Sequence, residues 1–138
     1  KIKFIDGDLH INGDQILKTR ISTTNNVYCG SQAIPVNTFV EKFPNGKKYN
    51  SVYAKKYTFK DSDNFVVPND HYFFLGDNRD CSKDSRFLTS VGYVKNVNLV
   101  GKAKILFFSN DKEKGYFFQF WKWSDSMRFN RFFKKIND

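Results

Sequence analysis

Alternation of apolar and polar residues predicts a β-meander at the start of the chain. In residues 1–16, two short alternating runs are separated by Asp6-Gly7 and followed by Asn12-Gly13. Both dipeptides suit two-residue hairpin turns, because Asn, Asp and Gly tolerate the positive φ that such turns require. The pattern predicts three short antiparallel strands.

A second hairpin is predicted over residues 39–53. Phe39, Glu41 and Phe43 alternate with Val40 and Lys42, and Asn45-Gly46 supplies the turn before a return strand from Tyr49 to Tyr53. Between the two hairpins, residues 17–34 are rich in Thr, Ser, Asn and Gly and have no stable period. They predict a loop or an irregular extension.

The second half of the chain contains further strand signals around one polar loop. The apolar run Tyr72 to Leu75 precedes the polar stretch 76–86, and strand-like residues resume in VGYV and from Leu99 to Phe108. We therefore predict a mostly β domain of antiparallel hairpin-built sheets. It is a single domain, 1–138, comprising a hairpin-rich extension (1–70), the polar loop with core strands (71–110) and an aromatic basic tail (111–138).

The tail has a different pattern. From Ser124 onward, apolar residues fall at helical spacing, with basic residues off that stripe: Phe129, Phe132, Phe133 and Ile136. This predicts a short C-terminal amphipathic helix. Its stripe packs on the β core in the interpretation that we favour; the alternative is docking on a membrane surface, with Trp121 and Trp123 at the level of the lipid headgroups.

Composition narrows the class of protein. The 138 residues are 40% hydrophobic, which is enough for a core and argues against disorder. The longest apolar runs are four residues, far short of the ~20 that span a bilayer. A net charge of +9 favours an anionic partner. The chain begins at Lys1 without Met or a leader, which suggests a processed product or a piece of a longer protein.

The loop from Gly76 to Arg86 carries the densest chemistry. Residues two apart share a face of an extended chain, so we expect Asp77 to pair with Arg79 and Asp84 with Arg86, with Ser82 between the two pairs. From spacing alone, a purely structural turn held by ion pairs is the interpretation that we favour.

Other kinds of site are disfavoured by residue type and spacing. A calcium loop starting at Asp77 would place Arg79 and Cys81 at ligand positions. Zinc would need His10, Cys29, His71 and Cys81, which have no metal-ligand spacing. Asp70-His71 as part of a catalytic triad is less favoured than a packed or surface imidazole. No phosphate-binding or nucleic-acid motif is present, so no cofactor and no metal are expected.

The loop resembles the last signature region of the bacterial type I signal peptidases. The family pattern is close to Gly-Asp-Asn-Arg-Asp-Asn-Ser-x-Asp-Ser-Arg, and nine of its residues are identical here: Gly76, Asp77, Asn78, Arg79, Asp80, Ser82, Asp84, Ser85 and Arg86. The similarity continues through GYV and VGKA, upstream in IDGDLHING, and downstream in FWKW and MRFNRFFKKI. It therefore covers nearly the whole chain.

The resemblance implies a membrane-anchored serine endopeptidase of the Ser-Lys dyad type. Such an enzyme is a hydrolase that removes signal peptides from exported preproteins, after small residues, on the outer (periplasmic) face of the bacterial cytoplasmic membrane. The partners implied are signal peptides and a membrane surface, and no nucleic acid. Ser82 would orient the general-base lysine, Asp84 and Arg86 would form a bracing ion pair, and Asp77, Asn78 and Arg79 would support the site.

Two departures from the family matter. The nucleophile belongs to a Ser-Met-x-Pro motif and the base to a Lys-Arg motif, and both should lie before Lys1; Ser126-Met127 is followed by Arg-Phe and is a coincidence. We therefore expect this chain alone to be inactive. Cys81 replaces a family Asn, and two free, partly buried thiols are favoured over a bridge to Cys29.

Two alternatives to a peptidase fragment are also compatible with the sequence. The chain would be a non-catalytic, basic, aromatic β-domain that binds anionic lipid, preprotein or single-stranded nucleic acid. Or it would be a dyad-less relative that presents preproteins to another protease.

Overall fold

The computed structural model describes residues 1–56, 58–107, 109 and 120–136, apart from the side chains of residues 23–25. The chain forms two compact units, Lys1–Leu99 and Val100–Asp138. The strands of the first unit are β1 (Ile2–Ile5), β2 (Asp8–Ile11), β3 (Asp14–Gln15), β4 (Leu17–Cys29), β5 (Gln32–Lys42), β6 (Lys48–Ala54), β7 (His71–Tyr72) and β8 (Val94–Lys95). All of their pairings are antiparallel, so the predicted mostly β class is confirmed.

The N-terminal meander forms as predicted. β2 pairs with β1 and β3, and the connecting turns contain Asp6 and Asn12 at φ 49° and 54°. Gly7 and Gly13 follow them at φ 80° and 100°, the left-handed region that two-residue hairpin turns require. Local turn chemistry therefore determines this sheet.

A small core holds the meander against the rest of the first unit. Phe4, Leu9 and Ile16 are at most 2% exposed, and four partly buried residues pack on them: Ile2, Ile11, Phe43 and Leu75. Leu75 directly precedes Gly76, so this core fixes the point at which the polar loop begins.

The largest sheet has the order β4-β5-β6. The Asn45-Gly46 turn between β5 and β6 is confirmed, with Gly46 at φ 79°. One face of β5 and β6 is buried although half of its residues are polar: Phe39, Glu41, Ser51 and Tyr53. The buried polar side chains on that face need hydrogen-bond partners. The loop from Gly76 to Arg86, which we call the signature loop, supplies them.

The prediction of a loop over residues 17–34 is wrong, because β4 runs to Cys29. It pairs with β5 from Leu17–Lys42 to Cys29–Gln32, with register shifts near Ser22. Many of its described side chains are exposed, so no apolar alternation marks the strand in the sequence. The end of this hairpin, residues 26–35, extends beyond the part of β5 that pairs with β6; we call it the arm.

Shorter strands complete the first unit. β7 pairs with β8, which confirms strand structure at Tyr72 and at Val94. The predicted strand from Tyr72 to Leu75 is shorter than expected, because β7 ends at Tyr72 and Phe73 to Leu75 belong to no strand. The N–H of Phe74 instead donates to the Ser85 hydroxyl at 2.9 Å, so the signature loop replaces a strand partner there.

The second unit contains β9 (Ile105–Leu106), α1 (Trp123–Ser126) and β10 (Lys134–Lys135), with 3₁₀ turns at Phe120–Lys122 and Phe129–Arg131. β9 and β10 pair antiparallel. Of the predicted strand from Leu99 to Phe108, only β9 forms within the described residues, and Phe108 lies outside them. Among the described residues no helix is long and apolar enough to cross a bilayer.

The short C-terminal helix is confirmed, but it ends at Ser126, before the predicted apolar stripe. Met127 is extended (φ −77°, ψ 126°) and Phe133 has φ 54°. A helix this short has little stability of its own, whereas β10 gains backbone bonds from β9. Strand pairing therefore replaces the helix over the last residues.

Candidate active site

The signature loop, Gly76–Arg86, docks on the edge of β6. The Val52 N–H donates to the carbonyl of Asp77 at 2.8 Å, and the Arg79 N–H donates to the carbonyl of Val52 at 2.9 Å. This bridge is parallel, so the start of the loop acts as a short extra strand. Arg79 is thereby directed to the buried polar face of β5 and β6.

Arg79 forms a buried ion pair with Glu41. The two side chains are 5% and 1% exposed, and the Arg79 Nη2 to Glu41 Oε2 distance is 2.6 Å. Nη1 donates to the Tyr53 hydroxyl at 3.2 Å, and Nε donates to the Gly76 carbonyl at 3.1 Å. The guanidinium therefore connects the sheet to the first residue of the loop.

The other carboxylate oxygen of Glu41 is also satisfied. Oε1 accepts hydrogen bonds from Ser51 Oγ at 2.9 Å and from the Tyr53 hydroxyl at 2.7 Å. Burial raises the pKa of the Tyr53 hydroxyl well above its usual value, and Glu41 adds to this, while the charge of Arg79 opposes it. Tyr53 therefore remains a proton donor to Glu41 at any physiological pH.

The expected pairing of Asp77 with Arg79 is wrong. Asp77 is exposed, and its Oδ1 accepts a hydrogen bond from the N–H of Asn78 at 2.9 Å. Arg79 turns instead toward Glu41, 38 residues earlier in the chain. A buried carboxylate with two further donors binds the guanidinium better than an exposed neighbour does.

The expected pairing of Asp84 with Arg86 is present. Arg86 Nε and Nη2 reach the two carboxylate oxygens of Asp84 at 2.8 and 2.9 Å. Arg86 Nη2 also donates to the carbonyl of Arg79, and its guanidinium lies over the rings of Phe4 and Phe59. This pair thus closes the loop on itself and joins it to the core.

The Asp84 carboxylate is held in its charged form. Burial, the largest contribution, raises its pKa, but hydrogen bonds from Arg86 and from the N–H of Gly76, together with the Arg86 charge, outweigh burial and lower the pKa below its usual value of 3.8. The Gly76 N–H lies 2.9 Å from Oδ2. Gly76 is therefore held on both sides, with Asp84 at its N–H and Arg79 at its carbonyl.

Ser82 lies directly against Gly76. A Cβ at position 76 would be 1.9 Å from Ser82 Oγ and 2.2 Å from Ser82 Cβ, so only glycine fits. The Ser82 N–H donates to the Asn78 carbonyl at 2.8 Å. Within the described part of the chain its hydroxyl has no hydrogen-bond partner, and the residue is half-buried. The loop thus presents a hydroxyl whose backbone is fixed.

Asn78 and Asp80 shape the turn that carries Ser82. The Asn78 carbonyl also accepts from the Cys81 N–H at 3.3 Å. Asp80 receives the N–H of Ala54 at 2.7 Å on Oδ2 and that of Phe59 at 2.9 Å on Oδ1. Asp80 therefore fastens the turn to the end of β6 and to Phe59 beyond it.

The two cysteines form a disulfide, so the expectation of free thiols is wrong. Cys29 at the end of β4 and Cys81 in the loop have Cα atoms 5.6 Å apart. The long hairpin missed in the sequence makes this contact possible, because it brings residue 29 to the loop.

Sequence reasoning overlooked Glu41, Tyr53 and Asp80 as parts of the site. A signal for Glu41 existed: it shares a face with Phe39 and Phe43 in the predicted strand, where an unpartnered carboxylate would be costly. No comparable signal marks the bonds of Asp80 to backbone N–H groups.

The remaining candidates lie apart in the chain. Trp121 and Trp123 belong to the second unit, at 64% and 36% exposed. Over the described residues, no three His, Cys, Asp or Glu side chains are grouped closely enough to hold a metal ion.

Comparison with known proteins finds one matching family. The family profile described as "Signal peptidase, peptidase S26" matches residues 1–108. Signal peptidase I of Rickettsia conorii (strain Malish 7) is 35% identical over 99% of this chain and 54% of its own length. Those of Rickettsia prowazekii (strain Madrid E) and Rickettsia bellii (strain OSU 85-389) are 35% and 33% identical over 99% of this chain.

The chain spans about half the length of these curated relatives: 54%, 55% and 50%. No solved structure matches it.

Proposed function

We propose, because this chain belongs to the signal peptidase (S26) family, that residues 1–138 form the supporting part of a serine endopeptidase active site. The reaction would be cleavage of signal peptides from exported preproteins after small residues. The site would lie on the outer face of the bacterial cytoplasmic membrane. The nucleophilic serine and the general-base lysine would come from sequence outside residues 1–138, so this chain alone would not cleave peptides.

The observation that supports this role best is the position of Ser82. Its backbone is fixed by the bond to Asn78 and by contact with Gly76, which Asp84 and Arg79 hold from both sides. Its hydroxyl has no partner within the described residues. A fixed hydroxyl with unused hydrogen-bonding capacity can bind and orient a lysine amine.

The chemistry implied by the family gives that hydrogen bond a purpose. A lysine in a dry apolar pocket has a lowered pKa and is neutral, so it can accept the proton of the nucleophilic serine. The serine oxygen then attacks the scissile carbonyl, and water hydrolyses the resulting acyl-enzyme. A neutral lysine amine rotates freely. A hydrogen bond to the Ser82 hydroxyl would hold the amine so that the nitrogen lone pair points toward the nucleophilic serine.

The ion pair of Asp84 and Arg86 and the pair of Glu41 and Arg79 would act through Ser82. Neither pair offers a free acid or base, because every carboxylate oxygen in them accepts at least one hydrogen bond. Their role would be to fix the loop, and Asp77 and Asn78 would shape its first turn.

A chimera tests this proposal. Residues 1–138 are fused behind the part of the Rickettsia conorii signal peptidase I that the chain does not cover, and cleavage of a preprotein with an Ala-x-Ala site is measured. We expect cleavage by the chimera, and a kcat at least about tenfold lower for Ser82→Ala, which corresponds to ~1.4 kcal/mol of transition-state stabilisation.

Ser90→Ala is the matched control, because Ser90 is exposed and bonds only the nearby Phe87 carbonyl at 3.4 Å. Its kcat should equal that of the unmodified chimera. A folded chimera without activity, or one that Ser82→Ala does not slow, would contradict the proposal.

The second unit favours an additional role at a membrane surface. Five of its described aromatic residues are at least 60% exposed: Phe107, Phe120, Trp121, Phe129 and Phe133. Exposed basic residues accompany them, among them Lys122 and Arg131. Aromatic rings beside cationic side chains suit the headgroup region of an anionic bilayer. This role is compatible with the peptidase, whose substrates reach it at the membrane.

A further inference from the structure

The arm, residues 26–35, is a two-stranded ribbon joined at its end to the signature loop. Its residues pair from Asn26–Pro35 to Cys29–Gln32, beyond the last residue of β5 that pairs with β6. A ribbon of two strands is marginally stable in water. Its base is held by the Lys55 N–H, which donates to the Pro35 carbonyl at 3.0 Å, and its end by the disulfide.

The partner of Cys29 lies in the most firmly held segment of the first unit. Cys81 stands between Asp80, which accepts two backbone N–H groups, and Ser82, which lies against Gly76. The loop does not need the disulfide to keep its place, because two ion pairs already hold it. Because Cys81 is fixed in the loop, the disulfide restrains Cys29 and with it the position of the arm.

The end of the arm is close to the candidate site. The Cα atoms of Cys29 and Cys81 are 5.6 Å apart, and consecutive Cα atoms are about 3.8 Å apart, so the Cys29 Cα lies within roughly 9.4 Å of the Ser82 Cα. The cleaved bond would lie near the lysine that Ser82 orients, and an extended peptide spans ~3.3 Å per residue. Residues a few positions along such a peptide would therefore come near the arm.

We propose that the Cys29–Cys81 disulfide positions the arm as one side of the peptide-binding surface next to Ser82. Cys29 and Cys81 are positioning residues, which act through the arm on substrate affinity. Reduction by a dithiol releases the arm: the S–S bond takes up two electrons and two protons to give two thiols, and the dithiol becomes its own disulfide. The assignment of a peptide to this surface rests on the function proposed above.

Hydrogen exchange on the chain 1–138 tests the position of the arm without any need for activity. We expect the amides of residues 26–35 to exchange at least tenfold faster after reduction with dithiothreitol. The amides of β1–β3 and of Ser82 should change less than twofold, because their bonds do not involve the disulfide.

The variant Cys29→Ser/Cys81→Asn removes the disulfide without any reductant. It contains no thiol, it carries the family's usual Asn in the loop, and dithiothreitol cannot act on it. Its arm should exchange as fast as in the reduced protein, with or without the reductant. An arm that remains protected in this variant, or in the reduced protein, would overturn the proposal.

Kinetics of the chimera test the effect on substrate. Breaking the disulfide should raise KM for an Ala-x-Ala peptide at least threefold and leave kcat within twofold. A merely structural bond would lower kcat through loss of folded enzyme and leave KM unchanged, which would also overturn the proposal. If the chimera with both cysteines is inactive, the proposed function fails, and hydrogen exchange alone then decides whether the disulfide positions the arm.

Discussion

The signature loop and the C-terminal unit differ in which side chains they bury. The loop buries charged residues and the C-terminal unit exposes aromatic ones, the opposite of what hydropathy predicts. In the loop, Arg79 and Asp84 are 5% and 6% exposed, although both are charged. In the second unit, Phe120 and Trp121 are 70% and 64% exposed, although both are aromatic. Residue type alone therefore does not decide burial in this protein.

The loop shows what makes buried charge tolerable. The buried charges of Arg79 and Asp84 each have a partner of opposite sign and at least one further hydrogen bond, and these interactions offset the cost of removing the charges from water. In the tail, aromatic rings contact one another, as Phe120 and Trp121 do, and still leave most of their apolar surface in water.

The largest effect is expected for Glu41→Gln. The amide preserves the shape but leaves the buried Arg79 charge without a counter-ion, which should lower the free energy of unfolding by about 3 to 5 kcal/mol. Urea denaturation measures this. Asp77→Asn makes the same chemical change at an exposed site and should stay within about 0.5 kcal/mol. Equal effects of the two substitutions would refute the difference between buried and exposed carboxylates.

A smaller loss, about 2 to 3 kcal/mol at pH 7, is expected for Asp84→Asn, because the charged hydrogen bonds of Arg86 and Gly76 are weakened. The pKa of Asp84 is lowered in the folded protein, so its stabilisation is complete above the usual value of 3.8 and is lost as pH falls further, through the folded pKa. Wild type and variant should converge in acid. A difference that is constant from pH 7 to pH 2 would contradict this.

Gly76→Ala tests the contact with Ser82. The added methyl group overlaps Ser82, so we expect a loss of about 1 to 3 kcal/mol and movement of the loop. Gly101→Ala is the control, because nothing lies within 4 Å of its added methyl group and its φ is not positive. Thermal unfolding compares the two, and a stable Gly76→Ala protein would mean that Ser82 is free to move.

The smallest effect on stability is expected for Trp121→Ser. Because Trp121 is 64% exposed, unfolding should change by less than about 0.5 kcal/mol, whereas binding to phosphatidylglycerol vesicles should fall at least about fivefold. Phe87→Ser, in the first unit at 50% exposed, is the matched control and should leave vesicle binding unchanged. Vesicle co-sedimentation of all three proteins decides whether the exposed rings serve a membrane.

Local signals in the sequence predicted the parts of the fold that depend on neighbours. Asp6-Gly7, Asn12-Gly13 and Asn45-Gly46 each determine a turn within two residues, and the structure has all three turns. The pairing of Asp84 with Arg86 is likewise local, and it was predicted from spacing. The resemblance to the signal peptidases has its most specific motif in residues 76–86, and the family match confirms it.

The missed features depend on residues far apart in the chain. Arg79 takes Glu41 in place of Asp77 because the fold brings β5 beneath the loop. β4 lacks apolar alternation, since its pairing with β5 is satisfied mainly by backbone groups. The apolar stripe in the tail does not form a helix, because pairing of Lys134–Lys135 with β9 competes with helix formation. Each case is a tertiary contact that overrides a local preference.

The pairing of Glu41 with Arg79 also sets an order of assembly. During synthesis the residues of β5 and β6 emerge before the loop. The sheet can therefore form before the Arg79 guanidinium is available to pair with the Glu41 carboxylate. Until residue 79 arrives, Ser51 and Tyr53 are the hydrogen-bond donors at Glu41. A ribosome-bound chain would thus already have the binding face for its own signature loop, and the loop would become ordered only after that sheet.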